Sequence, residues 1–258
     1  MPHSASYRRI LHRMGYYNYQ QGLIYRNLDQ KNGWNSHLAH CRDFIIKTIG
    51  LVNPSRITVL GSGWLMDLPI AEMAEKAEKI SLVDIVHPPE VIEQTAGLRN
   101  VEISEQDVSG GLIKEVWNKA GKKIFFNKLP SLGTIVIPEY QPVGDPGFVI
   151  SLNIATQLEV LPERLLKRKS KAPDEEYIRF RKDIQEKHIG FLKKHISVLI
   201  TDEAEIIYKA NGSQTENKTL LAELPASRIS DSWIWDFDLM HTDFNRQKSQ
   251  FKVVALMI

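Results

Sequence analysis

Glycines and carboxylates follow three consecutive apolar runs of the sequence. Gly61 and Gly63 come after the first run, Asp84 after the second and Asp107 after the third. Glycines let a backbone turn tightly and approach a ligand closely. A carboxylate about 20 residues beyond such glycines can accept hydrogen bonds from both hydroxyls of a ribose. The pattern therefore predicts a site for a ligand that contains a ribose.

Polar residues after the third and fourth runs extend this site. Asp107 can accept a hydrogen bond from the exocyclic amine of adenine, and Val108 can pack on its ring. Asp107 is equally suited to cap the start of a helix. Asn153 follows the fourth run, and on a helix it shares a face with Gln157. These two amides either orient a ligand or satisfy backbone groups at a helix start.

The apolar runs alternate with helical patterns over most of the chain. We predict core strands at 56–60, 80–83, 101–103, 148–152, 196–200, 233–239 and 251–258, with an extended piece at 205–209. Such alternation indicates a parallel sheet with helices on both faces and a ligand at the carboxyl ends of the strands. The last two strands are joined by a short link, which suits an antiparallel hairpin.

The expected fold is therefore a Rossmann-like, mostly parallel α/β sheet of seven strands that ends in an antiparallel hairpin. Residues 1–50 are predicted to form an N-terminal helical extension, and residues 51–258 the ligand-binding domain. Within that domain we expect an insertion at 121–146, with one extra strand at 134–137. Residues 158–173 are interpreted as a basic connector.

Residues 50–258 resemble the class I methyltransferases that use S-adenosylmethionine (SAM). Gly61 and Gly63 match the first two glycines of the family's first motif, Asp84 matches its ribose-binding acid and Asp107 its adenine-binding acid. The resemblance implies that SAM is the cofactor and that the protein transfers its methyl group.

The chain departs from the family motif at two positions. Val59 stands where the family has an acidic residue, and Leu65 stands where it has a third glycine. The resemblance places Ser62 in the cofactor loop, Asp67 near the methionine amine and Asn153 beside the methionine end of SAM. The Asn-Pro-Pro-Tyr signature for methylation of base amines is lacking, so oxygen, nitrogen and carbon acceptors stay open.

The acceptor pocket is predicted to come from parts added to the sheet. These parts are residues 1–49, the insertion at 121–146 and the segment after Asn153, because the sheet itself supplies the cofactor half. They contribute side chains for stacking and hydrogen bonding with little net charge: Trp34, His37, Tyr140 and Gln157. We therefore favour a small acceptor over RNA.

Composition limits the other possibilities. The net charge of +2 gives no general reason for binding nucleic acid or a membrane. The single cysteine, Cys41, cannot form an intrachain disulfide, which suits a reducing cytoplasm. His37, His40 and Cys41 have a spacing that resembles metal ligands, but no further ligand is evident in the sequence, so we predict no metal.

Two alternatives remain from the sequence. A nicotinamide-dependent oxidoreductase would also use Gly61 and Asp84, although Met66 replaces the third glycine of its GxGxxG motif. A non-catalytic protein with the SAM-binding fold could bind RNA or a partner instead. The basic run 164–171 could contact phosphates in that case, or form a solvated loop.

Overall fold

The structure is a computed structural model that describes residues 3–121, 128–209, 211–240 and 247–258. Its helices are α1 (Ala5–Met14), α2 (Tyr16–Asp29), α3 (Asn35–Val52), α4 (Ile70–Lys76), α5 (Pro89–Thr95), α6 (Leu112–Val116), α7 (Val160–Lys169) and α8 (Asp174–Leu192). Its strands are β1 (Arg56–Leu60), β2 (Lys79–Asp84), β3 (Val101–Glu105), β4 (Phe148–Leu152), β5 (Ser197–Tyr208), β6 (Gln214–Lys218), β7 (Ile229–Asp238) and β8 (Lys248–Met257).

The strands form one sheet in the order β3-β2-β1-β4-β5-β8-β7, with β6 beside the second half of β5. Strands β1 to β5 are parallel, whereas β8 is antiparallel to both β5 and β7. The predicted Rossmann-like class and the closing antiparallel pair are confirmed. The strand order reverses between β1 and β4, which is where open sheets of this kind form their ligand crevice.

Helices cover the two faces of the sheet. On one face, Ile45 of α3 and Met73 of α4 pack in the same core as Val59 of β1. On the other face, Ile189 of α8 packs with Leu60 of β1. Neighbouring residues of a strand point to opposite faces, so a strand covered on both sides must be apolar throughout. This requirement explains why the core strands appear in the sequence as short continuous apolar runs.

An eighth strand is the main addition to the predicted sheet. Strand β6 pairs antiparallel with residues 204–208, and those residues are the continuation of β5 rather than a separate piece. The sequence of β6 is polar, and the strand is mostly exposed, so it carries no apolar alternation that could reveal it.

Two segments differ from their predicted structure. Residues 134–137 form no strand, and Ile135 instead packs in the core beneath α7 and α8. Residues 160–169 are helix α7 rather than a connector, because Leu161, Leu165 and Leu166 are buried at helical spacing among the exposed basic side chains.

The N-terminal extension is helical, as predicted. Gly15 has a φ of +92° and separates α1 from α2. Leu11 of α1 is fully buried and packs with Leu166 of α7, whereas α3 packs against the sheet. The predicted domain boundary between residues 50 and 51 falls within the last turn of α3. Among the described residues, no helix has the length and apolar character needed to cross a membrane.

Candidate functional site

The loop after β1 adopts a backbone that suits glycine. Gly61 has a φ of +83°, and a Cβ atom there would lie 2.7 Å from the carbonyl oxygen of Leu152. Gly63 has a φ of +48°. Leu65, at the position of the third family glycine, also has a positive φ, of 61°. The loop therefore keeps a glycine-like path even where the glycine is replaced.

Asp84 at the end of β2 holds this loop from the neighbouring strand. Its Oδ2 accepts a hydrogen bond from the backbone N–H of Gly63 at 2.8 Å, and its Oδ1 accepts one from Ile85 N at 2.7 Å. Gln20 Nε2 of α2 donates to Oδ1 at 3.4 Å. Burial raises the pKa of Asp84 to about 6, against the hydrogen bonds that favour its ionised form.

Both carboxylate oxygens of Asp107 accept hydrogen bonds. Tyr7 of α1 donates its O–H to Oδ2 at 2.9 Å, and the backbone N–H of Ser109 donates to Oδ1 at 3.0 Å. The Ser109 hydroxyl also donates to Oδ1. Asp107 thus ties the turn before α6 to the first helix, and the neighbouring Val108 is buried. These contacts agree with the alternative in which Asp107 satisfies local backbone groups. The adenine-binding role of Asp107 stays a prediction.

Four side chains from distant segments meet near the end of β4. Asn153 has a φ of 50°, and its Nδ2 lies 2.8 Å from Asp67 Oδ2 and 3.2 Å from His37 Nε2. Cys41 Sγ lies 3.6 Å from the same His37 nitrogen. The expectation that His37 and Cys41 have no further ligand nearby is therefore wrong. The fold brings Asp67 close enough that the ligand atoms of all three lie within 4.8 Å of one another.

The hydrogen bonds of His37 do not suit a metal ligand. The indole N–H of Trp233 donates to His37 Nδ1 at 3.0 Å. A neutral imidazole that accepts at Nδ1 carries its proton at Nε2, the nitrogen that faces Cys41 and Asn153. Metal-bound histidines instead donate their second N–H to an acceptor. Burial lowers the pKa of His37 to about 3, so the ring is neutral at pH 7.

One cleft brings together most of the predicted site residues. All the predicted cofactor residues line it: Gly61, Ser62, Gly63, Asp67, Asp84, Asp107, Val108 and Asn153. Of the predicted acceptor residues, Trp34, His37 and Gln157 line it as well. The side chain of Ser62 is buried, and its hydroxyl lies 2.8 Å from His87 Nε2.

Tyr140 is the exception among the predicted acceptor residues, because it does not line the cleft. Its hydroxyl donates to Gln106 Oε1 at 2.8 Å, and its ring packs edge-on against Phe191. Gly121 and residues 128–146, the described part of the insertion, contribute nothing to the cleft lining. The backbone at Glu139 and Tyr140 passes close to Gly110 instead, which holds the insertion against the turn before α6.

Several lining residues are not singled out by the sequence, although α2 lies within the segment 1–49 that is predicted to contribute to the acceptor pocket. Helix α2 contributes Tyr16, Tyr19 and Gln20, and strand β7 contributes Trp235. The tyrosine-rich N-terminus is a visible signal, but no local pattern connects it with strand ends more than 40 residues away. The alternation of β7 indicates core packing for Trp235, and its ring does stack on His37 with 3.8 Å between centroids.

The charge of the lining is one-sided. The described residues that line the cleft include the carboxylates Asp67, Asp84 and Asp107 but neither lysine nor arginine. Because His37 is neutral, no cation among these lining residues opposes the carboxylates. Such a cleft favours a ligand with positive charge and gives an anionic group no charged partner.

The fold and the cleft define a Rossmann-like α/β protein with a ligand site at the switch point of its sheet. No protein-family model matches the chain, and no curated protein sequence matches it. Three solved structures with this general likeness share between 9% and 14% sequence identity with it.

The complex of DhpI with SAH is 9% identical, covers 96% of both chains and has a TM-score of 0.33. The complex of DhpI with SAM and HEP is 10% identical, covers 90% of this chain and 97% of the other, and has a TM-score of 0.29. Precorrin 8W decarboxylase of Methanobacterium thermoautotrophicum is 14% identical, covers 83% and 88%, and has a TM-score of 0.26. TM-scores below 0.5 do not assign the functions of these proteins to this chain.

Proposed function

We propose that the protein is a SAM-dependent methyltransferase that acts on a small acceptor. The observation that carries the proposal is the link between Gly63 and Asp84 at two adjacent strand ends, above a cleft lined by carboxylates. SAM contains a ribose, and its sulfonium and ammonium groups outweigh its single carboxylate. A glycine loop, a ribose-binding acid and a negatively charged wall suit all of these features.

The residues of the cleft can be assigned to parts of SAM. Asp84 would accept from the ribose hydroxyls, and Asp107 with Val108 would border the adenine. Asp67 and Asn153 would face the methionine end, where the carboxylate of Asp67 suits an ammonium group. Bound in this way, SAM would supply an electrophilic methyl group.

The same cleft suits a nicotinamide dinucleotide poorly. In dinucleotide sites the glycine loop leads directly into a helix, whose N-terminus binds the diphosphate. Here the helix that follows the loop, α4, begins only at Ile70, after the turns at 61–69. The described lining also offers no lysine or arginine to a diphosphate. We therefore place the oxidoreductase alternative second.

Positioning is the main contribution that these residues can make to methyl transfer. In-line displacement depends on holding the acceptor atom on the far side of the methyl group from its leaving sulfur. His37 is a poor proton acceptor, because its Nδ1 already accepts from Trp233. The Nε2–H of His37 and the side-chain amide of Asn153 can instead hold the methyl-acceptor molecule by hydrogen bonds. The proton of the acceptor would then leave to water.

Transfer of label from methyl-labelled SAM into fractionated cell extract tests the proposal. We expect label in the small-molecule fraction with the wild-type protein and much less with Asp84→Asn. Label in RNA, falling steeply with salt, would overturn the small acceptor and favour the basic residues of α7 as an RNA contact. Tight SAM binding without transfer to any fraction would favour the non-catalytic alternative.

A further inference from the structure

The part of the cleft that the proposed cofactor contacts leave over has a distinct chemistry. Its side chains come from α2, from residues 157–161 before and at the start of α7, and from β7. Its lining residues are aromatic, aliphatic or neutral and polar, with Tyr16 at the end next to Asp107: Tyr16, Tyr19, Gln157, Leu158, Leu161 and Trp235. Aromatic side chains in the lining suit an aromatic ligand, because stacked or edge-on rings gain energy beyond their buried area.

Neutral hydrogen-bonding groups lie among these rings. Burial raises the pKa of both Tyr16 and Tyr19, so their phenols keep their protons and can donate. The indole N–H of Trp235 is buried and has no partner among the described residues. A buried donor without a partner costs free energy, which a hydrogen bond from a ligand would recover. The amide of Gln157 makes no side-chain hydrogen bond to any described residue.

An anionic acceptor would meet no cation among the described residues of this lining. Arg26 and Arg164 lower the pKa of Tyr19, but neither residue lines the cleft. Glu159 and Asp202 raise the same pKa. A phosphate or carboxylate in this space would lose its hydration without an ion pair in return, and burial of an unpaired charge is strongly unfavourable.

We propose that the methyl acceptor is an uncharged aromatic molecule with a hydroxyl or amine group, held between α2, α7 and β7. This inference rests on the proposed function. In the step it implies, a lone pair of the hydroxyl oxygen or amine nitrogen forms the new bond to the methyl carbon. The electron pair of the broken carbon–sulfur bond stays on sulfur, and the acceptor loses its proton to water.

A matched pair of probes tests the charge preference. Naphthol and naphthyl phosphate share one ring system and differ in the anionic group. Each is titrated calorimetrically into the protein saturated with S-adenosylhomocysteine (SAH). We expect naphthol to bind at least about tenfold more tightly than its phosphate, since a tenfold ratio needs only about 1.4 kcal/mol. Equal binding, or tighter binding of the phosphate, would overturn the proposal.

A charge introduced in the cleft sharpens the test. Gln157→Lys places a cation beside the acceptor space and should reduce the preference for naphthol about tenfold, as a partly desolvated ion pair would. Gln214→Lys adds the same charge on the exposed strand β6 and should leave the preference unchanged. If Gln157→Lys does not fold, as judged by thermal unfolding, the wild-type probe pair still decides the question.

The controls separate this inference from the proposed function. Absence of SAH binding would remove the proposed function itself. Binding of SAH with no binding of either probe would leave the methyltransferase proposal in place and overturn the aromatic acceptor.

Discussion

The two halves of the cleft are built in different ways. The strand-end half consists of the loop at Gly61–Gly63 and the carboxylate of Asp84, which are joined by hydrogen bonds across two adjacent parallel strands. The added half consists of α2, α3 and β7, whose side chains reach the cleft from distant parts of the chain. The first half is fixed by local backbone geometry, whereas the second depends on packing of the whole fold.

The largest expected effect is on stability, and it comes from a substitution at Gly61 in the strand-end half. Gly61→Ala forces a side chain into the left-handed region and against Leu152 and Ile154. We expect the free energy of unfolding to fall by about 3 kcal/mol, combining backbone strain with overpacking. Gly63→Ala is the matched control, because its nearest neighbouring atom is 3.9 Å away. It should cost only about 1–2 kcal/mol in chemical denaturation. Equal losses would contradict the close contact with β4.

The next effect concerns the cofactor. Asp84→Asn should weaken SAM binding about tenfold to a hundredfold, because hydrogen bonds to a charged acceptor are worth about 1.5–3 kcal/mol. Asp67→Asn should weaken it less, since in the proposed arrangement Asp67 faces only the methionine end of SAM. Calorimetry on both variants measures the difference. A larger loss of SAM affinity with Asp67→Asn would mean that the amine of SAM, rather than its ribose, makes the stronger contact with the protein.

The strand-end half could be predicted from sequence for a physical reason. Strands buried on both faces must be continuous apolar runs, and the residues directly after them must lie at one edge of the sheet. The positions of Gly61, Asp84, Asp107 and Asn153 along the chain are therefore enough to assign them to one site. No information about distant parts of the chain is needed for this assignment.

The added half could not be predicted in the same way. The contact between Tyr7 and Asp107 spans 100 residues, and that between Trp233 and His37 spans 196. No local pattern encodes such pairs. Helix α7 is hard to recognise in the sequence because its basic residues mask three buried leucines. Tyr140 lies outside the cleft lining because the described part of the insertion around Glu139 packs beside the turn at Gly110.

Proton binding at Asp84 gives a third and smaller effect. The pKa of Asp84 in the folded protein, about 6, lies above its ordinary value of 3.8. Its protonated form therefore stabilises the ligand-free protein, and that contribution is lost as pH rises through about 6. Ribose hydroxyls favour the ionised form, so SAM affinity should fall by up to about tenfold per unit below pH 6. Calorimetry across this range should show the slope in the wild type and a flatter profile in Asp84→Asn. A flat wild-type profile would contradict the role of Asp84.

The smallest effect concerns the hydrogen bond that ties α1 to Asp107, in the turn before α6. Tyr7→Phe removes the O–H donor to Asp107 and should lower the free energy of unfolding by about 1 kcal/mol. Tyr25→Phe, at a side chain that is 57% exposed, should change it by less than about 0.5 kcal/mol. Thermal unfolding of both variants measures this. Equal stability of the two would mean that α1 does not depend on Asp107 for its position.

Titration with SAH and with NADH tests the central claim, that the cleft binds SAM through Asp84, most directly. We predict that SAH binds with one site per chain and, at a hundredfold excess over its dissociation constant, stabilises the fold by about 2.7 kcal/mol. Asp84→Asn should lose most of this stabilisation, and NADH should produce none. Stabilisation by NADH but not by SAH would contradict SAM binding and would favour a dinucleotide as the ligand of the cleft.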